Sequence, residues 1–460
     1  MAGSSPAMTL RWEGEDKMDQ RNGLAALALA LALPAANLHA APVPDPALDA
    51  SKFVAIEDSL ELEAQKFLSD PAVIAAREQG ERDLLSLIPN ATPETRAHFK
   101  QAAAEITYFA TLNGLNDDPH HPHITFVGRP GRTVRGTYTL APKGIDENPD
   151  SVYRVIPMDG ASTYLIRGRV AKDRPVVNDF SVLSDAWITA GNLPGSDLKV
   201  EADGRFTIVV GPDPANGQPN HIQTKPDANY MTIRDTLSDW AHQRPNALTV
   251  ERIAGPPEGP ELNHDQKLEK VLIKVRRYFA ETVKGHARIL GRPANVFVQP
   301  EIKATDGMLI TQAYSLGHFQ LAKDQALVLT VHPGTAKYMT VPVSNLWGTT
   351  MDPVHHLSSR NLDQVKKNPD GSFTVAITPT DPGLENWIDT EGLSEGMLFL
   401  RWAAIADSSP GAPKPAVEAR LVSLSELPAA MPGLGKVDKA AREREVRQRA
   451  QDYDRRWAGP

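Results

Sequence analysis

The spacing of apolar positions changes period several times along this chain, and each change marks a different kind of structure. Residues 47–113 carry the three- and four-residue spacing of amphipathic helices. Thr92-Pro93 makes a good helix start, a side-chain cap followed by proline in the first turn, where no N–H is missed. Phe99, Ala102, Ala103, Ile106, Phe109 and Ala110 then share one face, and Gly114 is the expected stop. From 123 to 253 the period falls to two, with turn residues at about every eight to twelve positions, and strands are expected at 152–156, 164–166 and 206–210. Helical spacing returns at 264–290, where Leu268, Val271, Leu272, Val275, Phe279 and Val283 line one side and Gly291 ends the helix. Strand-like runs such as 327–331 resume between 304 and 405. The chain closes on a charged helix at about 437–457, whose mixed-sign neighbours read as a solvated helix lying on the body.

An internal repeat organises this pattern. Asp203-Gly204-Arg205-Phe206-Thr207-Ile208-Val209-Val210 matches Asp370-Gly371-Ser372-Phe373-Thr374-Val375-Ala376-Ile377, 167 positions on. Asn220-His221-Ile222-Gln223-Thr224 lines up with Asn386-Trp387-Ile388-Asp389-Thr390 at an offset of 166, and Arg234 with Arg401 at 167. The shared content is an Asp-Gly turn, an alternating strand, a polar loop and a return strand ending in Arg. The fold expected is mainly β with accessory helices, two tandem jelly-roll-like β-sandwiches joined by the 264–290 helix. The expected divisions are a signal peptide at 1–40, a helical region at 41–118, a first sandwich at 119–255, a helical linker at 256–303, a second sandwich at 304–412 and a tail with the charged helix at 413–460.

The N-terminus carries the signal expectation. A Leu/Ala-rich run at 24–36 follows Arg21 and exits through Ala40-Ala41, the layout of a secretory signal peptide, with Met18 as the expected start. About 13 apolar residues are too few to span a bilayer, so export to the periplasm or medium without a stable membrane anchor is expected. The 460 residues contain no cysteine, which excludes thiol nucleophiles, disulfides, Cys-ligated metal and a lipid carried on Cys. A formal charge of -8 argues against a nucleic-acid partner.

Candidate chemistry is diffuse. His120, His121 and His123 form a weak metal candidate, because the carboxylate expected a few residues beyond a His-x-His strand is missing; no metal or other cofactor is predicted. His355-His356 lies near Asp352, and Asp381, Glu385, Asp389, Glu391 and Glu395 surround Trp387, a carboxylate-plus-aromatic pattern suited to sugar chemistry. No nucleophile elbow, phosphate loop or dinucleotide fingerprint is present. Each candidate also has a purely structural reading as a turn or an exposed loop.

Several segments together resemble a known family: Asn148-Pro149-Asp150-Ser151-Val152-Tyr153, Tyr164-Leu165-Ile166-Arg167-Gly168, Arg234-Asp235 with Asp239-Trp240, and Ser359-Arg360-Asn361-Leu362-Asp363-Gln364. With Asp381-Pro382-Gly383-Leu384-Glu385-Asn386-Trp387 and Arg401-Trp402, they are similar to the bacterial DUF1214 family, often paired with DUF1254. The resemblance covers roughly residues 80–460 and implies β-sandwich modules with accessory helices. It brings no catalytic residues. The leading functional expectation is a small organic or carbohydrate ligand held in a polar and aromatic cleft by Asn148, Tyr153, Asn361, Gln364, Asn386 and Trp387. One alternative is a hydrolase or lyase drawing on His355, Asp150, Arg167 or Arg401. Another is an assembly protein whose repeat surfaces form a homo-oligomer.

Overall fold

Capping side chains start the helices where the sequence places them. Asp70 Oδ1 accepts the N–H groups of Ala72 and Val73, and the Thr92 hydroxyl accepts that of Thr95. The computed structural model describes residues 50–184, 187–302 and 308–457; the expected export segment lies outside them. The helices α1 (Ala50–Phe67), α2 (Pro71–Leu87), α3 (Pro93–Ala97) and α4 (Phe99–Leu115) come first. The helix opened by Thr92 breaks at His98, so one predicted helix is two. Gly114 does not stop α4 but lies inside it. A Cβ there would stand 2.6 Å from the Cα of Val271, so glycine lets a later helix approach the backbone.

The first sandwich follows: β1 (Thr125–Val127), β2 (Arg132–Val134), β3 (Thr137–Thr139), β4 (Ser151–Pro157), β5 (Thr163–Arg169), β6 (Val177–Ser184), β7 (Thr189–Pro194), β8 (Arg205–Gly211), β9 (His221–Gln223), β10 (Ala228–Thr236) and β11 (Ala247–Ala254). Then comes α5 (His264–Leu290), started by a capping box between Asn263 and Gln266. The second sandwich comprises β12 (Glu301–Ile302), β13 (Gln312–Gln320), β14 (Gln325–His332), β15 (Ala336–Ser344), β16 (Ser359–Asn361), β17 (Phe373–Thr378), β18 (Trp387–Asp389), β19 (Glu395–Ile405) and β20 (Ala416–Ser423). Helices α6 (Leu427–Ala430) and α7 (Lys439–Arg455) complete the described chain.

The two sandwiches have the same topology, strand for strand. The first pairs a sheet ordered β1-β4-β10-β6-β7 with one ordered β11-β5-β8-β9. The second repeats this as β12-β13-β19-β15-β16 and β20-β14-β17-β18. Even the exception recurs: β8 pairs parallel with β9, and β17 parallel with β18, among otherwise antiparallel ladders. The sequence motif therefore does not describe a simple hairpin return. After the polar loop the chain runs parallel to the strand it left, and the Arg-bearing strand lies in the opposite sheet.

Alternation buries one face of each sheet in its own sandwich. Ile156, Phe180, Val182, Met231 and Ile233 point into the first core with Ile166, Phe206 and Ile208 of the facing sheet. Met339, Val341, Leu398, Leu400 and Trp402 do the same in the second, with Leu327, Leu329, Phe373 and Val375. The residues between them point outward from both five-stranded sheets. A third core joins α1 to α5 and reaches the second sandwich through Leu346, Trp347 and Met397; the Trp347 indole donates to the Thr95 carbonyl at 2.7 Å.

Helix α7 lies on the body as expected, but charged side chains dock it. Arg442, Arg449 and Arg456, seven residues apart, are all buried. Arg442 bridges Asp381 and Glu445 and donates to the Leu384 carbonyl. Arg449 reaches the Pro353 carbonyl and the Ser359 hydroxyl with its guanidinium 4.2 Å from the Trp240 ring, and Arg456 donates to the Pro149 carbonyl. Seven-residue spacing keeps them on one face.

Candidate functional site

The outward faces of the two five-stranded sheets line a cavity of 310 Å³, with α4, α5 and residues 144–148 contributing the rest of its wall. Its construction follows from strand register. In the first sandwich Tyr153 on β4 stands opposite Arg234 on β10; in the second Tyr314 on β13 stands opposite Arg401 on β19. Directly paired residues project to the same face, and all four reach the cavity. One rung further along each ladder, Val155 pairs with Thr232 and Leu316 with Phe399, again at equivalent positions and again in the wall.

Each tyrosine is oriented in the same way. The Tyr153 hydroxyl accepts the Asn148 N–H at 3.0 Å, and the Tyr314 hydroxyl accepts the Leu309 N–H at 2.9 Å, both from five residues upstream. Burial pushes the Tyr314 hydroxyl up to about 12, so it keeps its proton at neutral pH and remains a donor. The Arg401 guanidinium donates to the carbonyls of Phe399 and Asp146 and lies 4.3 Å from the Phe399 ring centre. The Arg234 guanidinium lies 5.8 Å from the Tyr153 ring centre.

Three carboxyl groups sit beside these pairs: that of the buried Asp179 of β6, directly opposite Arg234, and those of Glu147 and Asp146. Glu147 Oε1 accepts the Gly144 N–H at 2.7 Å. A Cβ on Gly128 would stand 3.1 Å from both Glu147 Oε2 and the Tyr153 ring, so the absence of a side chain there leaves room for both. Burial pushes the Glu147 carboxyl up to about 8, the Gly144 N–H opposing it, so the group is largely protonated at neutral pH. Asp146, in a left-handed conformation, takes the buried His286 ring of α5 at 3.1 Å through Nε2. Toward solvent, Lys284, Arg288 and Arg292 on and just after α5 add positive charge, with Glu281 bonded to Lys284. Apolar area comes from Phe109, Tyr278, Leu183 and Trp187.

Of the residues singled out in the sequence, Asn148, Tyr153 and Arg401 come together at this cavity. Asn148 and Asp150 also form a buried junction between the sandwiches. Asn148 Nδ2 donates to the Tyr338 hydroxyl at 2.9 Å, Tyr338 donates to Asp150 Oδ2 at 2.6 Å, and the Trp240 indole donates to Asp150 Oδ1. The others lie elsewhere. Asn361 is buried and donates to the Ser238 carbonyl, and the Gln364 side chain accepts from the Asn361 N–H and Arg449. Asn386 is a left-handed pivot that bonds both ways to the Lys366 backbone, as Asn220 does to Lys199 in the first sandwich. The buried Trp387 donates to the Thr378 carbonyl beneath Arg442. Arg167 pairs with Glu251 and His355 with Asp352, both at the surface.

His121 bridges Asp118 and Glu258. His120 accepts the Gly259 N–H and His123 is half-buried. Among the described residues no group of three or more His, Cys, Asp or Glu is arranged to hold a metal ion. The carboxylates around Trp387 are engaged separately: Asp381 with Arg442, Glu385 with Lys366, Asp389 with His356, Glu391 with the Asp352 N–H and Glu395 with the Thr92 N–H. Sequence reading missed Arg234 as a cavity residue, and with it Tyr314, Glu147 and His286. Aligning the repeat backward from Arg234 and Arg401 with a six-residue gap would have matched Tyr153 to Tyr314.

Residues 335–403, from β15 through most of β19, match the model of DUF1214, a protein family of unknown function. The resemblance read from the sequence is to this family. The DUF1214 segment supplies Arg401 and Phe399 to the cavity and Tyr338 to the junction. No curated relative matches the chain. An uncharacterized protein from Burkholderia cenocepacia has a similar structure, with a TM-score of 0.67 at 22% identity over 79% of this chain and 99% of its own. That likeness shows the shared fold. A protein from Vibrio parahaemolyticus, covering 70% of this chain and 99% of its own, has a TM-score of 0.36 at 8% identity and carries no argument. Among the described residues no helix is long and apolar enough to cross a membrane.

Proposed function

We propose that this protein binds a small organic anion in the cavity between its sandwiches, and, from the Leu/Ala run at 24–36, that it does so outside the cytoplasm. One observation carries the ligand reading: the two halves of the chain each bring a tyrosine and an arginine, at equivalent ladder positions, to the wall of one cavity. Arginine and tyrosine donors suit a carboxylate, and the aromatic and aliphatic residues between them suit an organic body. The basic mouth raises the local concentration of anions. This reading keeps the small-molecule expectation and favours an acid over a neutral carbohydrate.

The test is differential scanning fluorimetry against organic acids, phosphorylated metabolites and neutral sugars, repeated with Arg234→Met and Arg401→Met. Organic acids should raise the melting temperature of the parent chain and lose that effect in both variants. Stabilisation by neutral sugars alone overturns the reading, as does acid binding that both variants retain.

Acid catalysis is the second reading, favoured by Glu147. A protonated carboxyl anchored through one oxygen in the wall of a binding cavity is equipped to give a proton to a bound molecule. Product analysis by mass spectrometry for every stabilising acid, with Glu147→Gln beside the parent, separates a binder from a catalyst.

A further inference from the structure

Rings from α4, from α5 and from the connection between β6 and β7 meet in the wall of the cavity. They bear on the body of the ligand, and the inference rests on the anion-binding reading above. We propose that the ligand is an aromatic carboxylic acid, its carboxylate held by Arg401 and its ring seated against Tyr278 and Trp187.

Tyr278 is the hub of this wall. Its ring stands 4.7 Å from that of Phe109 at 80° and 5.6 Å from that of Trp187 at 64°, both edge-to-face. The Trp187 backbone is left-handed, an uncommon conformation for a bulky residue, and the Arg277 guanidinium lies 5.7 Å from its ring. All three rings line the cavity, so their packing against one another leaves ring surface on the open volume. An aromatic ligand adds edge-to-face or offset contacts there that a saturated ring of the same size does not make.

Arg401 is the guanidinium that the ligand's carboxylate meets. Arg234 stands opposite the buried Asp179 of β6, which interacts with it electrostatically. Arg401 is held instead by the carbonyls of Phe399 and Asp146 and by the Phe399 ring at 4.3 Å, groups that orient its plane and carry no formal charge. Two of its five N–H donors are used on those carbonyls, and the fork that remains suits a carboxylate. Glu147 lies within electrostatic reach of both Arg401 and Tyr278, which joins the cationic part of the wall to the aromatic part. It is largely protonated at neutral pH and the Asp146 carboxylate takes His286, so neither balances the Arg401 charge. The volume of 310 Å³ sits at the small end of ligand pockets, which suits an acid with a single ring.

Isothermal titration calorimetry on the full chain tests this, with benzoate, phenylacetate and 3-phenylpropanoate each beside its cyclohexyl counterpart and its amide. At least one aromatic acid should bind about fivefold more tightly than its cyclohexyl counterpart and about tenfold more tightly than its amide. Tyr278→Leu and Trp187→Leu, which keep apolar bulk, should each bring that acid close to its cyclohexyl counterpart without weakening the counterpart. Either serves if the other fails to fold. Arg401→Met should weaken both acids alike and leave the ratio between them unchanged. Cyclohexyl acids that match the aromatic acids at every length overturn the aromatic reading and leave the anion site standing. Aromatic acids that bind no more tightly than their amides overturn the anion reading and this one with it. If nothing in the set binds while other organic acids stabilise the fold, the aromatic reading alone falls; if those fail too, both fall.

Discussion

Tyr338, in the second sandwich, donates its hydroxyl proton to Asp150 of the first at 2.6 Å, and Asp150 takes the Trp240 indole on its other oxygen. The contact links two halves that are each complete as sandwiches. Asp150 is fully buried and sits in the Asn148-Pro149-Asp150 turn that begins β4, the strand carrying Tyr153. The junction therefore fixes the relation of one sheet to the other close to the cavity they share. Tyr338→Phe removes the donor and leaves a buried carboxylate oxygen poorly satisfied, at a cost of about 1–3 kcal/mol. Thermal denaturation should show a lower melting temperature, and Tyr338→Phe with Asp150→Asn should lose less than the sum of the single changes.

Glu147 predicts a pH dependence. Its carboxyl is pushed from an ordinary value of 4.5 up to about 8 in the folded chain. Below 4.5 both folded and unfolded forms hold the proton; between 4.5 and 8 the unfolded chain releases it and the folded chain does not. The contribution to stability is thus fully present at acid pH and declines as pH rises to about 8. Glu147→Gln keeps an acceptor for the Gly144 N–H and cannot ionise. Melting temperatures measured from pH 5 to 9 should show the variant gaining on the parent as pH rises, with no crossover if burial does not perturb Glu147.

Gly114→Ala tests the close approach of α4 to α5. Alanine ordinarily favours a helix interior by about 0.5–1 kcal/mol, but its Cβ would meet the Val271 backbone at 2.6 Å. Backbone cannot swing aside as a side chain can, so a net destabilisation of about 1–3 kcal/mol is expected in urea denaturation. A neutral or stabilising result would mean that the helices part without cost.

Arg442→Lys tests the charged docking of α7. A single ammonium cannot reach Asp381, Glu445 and the Leu384 carbonyl together. About 1–3 kcal/mol should be lost, with faster hydrogen exchange in α7 than in the sheets. Unchanged exchange there would show that Arg449 and Arg456 suffice.

The layered fold is legible because alternating apolar residues have one physical solution in a sheet. The repeat is legible where turn chemistry is constrained: Asp-Gly before β8 and β17, then a left-handed asparagine before β9 and β18. Asn386 stands out in sequence through the Asp381-to-Trp387 segment and the repeat, and it recurs as Asn220 because few residues adopt that conformation readily. The cavity was less legible. Its residues occupy the outward positions of amphipathic strands, which a one-dimensional pattern assigns to solvent. The two tyrosines are 161 residues apart and the two arginines 167, so the pairing appears only once register is known. The arginines of α7 were hidden similarly, since a buried guanidinium and an exposed one look alike in sequence.

The duplicated sheets share one strand order and line one cavity, yet they belong to one chain. A true homodimer must place identical residues on both sides of its axis. Here Thr232 on one wall answers Phe399 on the other, Ser151 answers Gln312, and Asp179 beside Arg234 answers Thr340 beside Arg401. Within a single chain each wall can carry its own residues while the ladders keep their alignment. The cavity they line therefore presents a hydroxyl on one side and a phenyl ring on the other, so its two walls are chemically unlike although their ladders are equivalent.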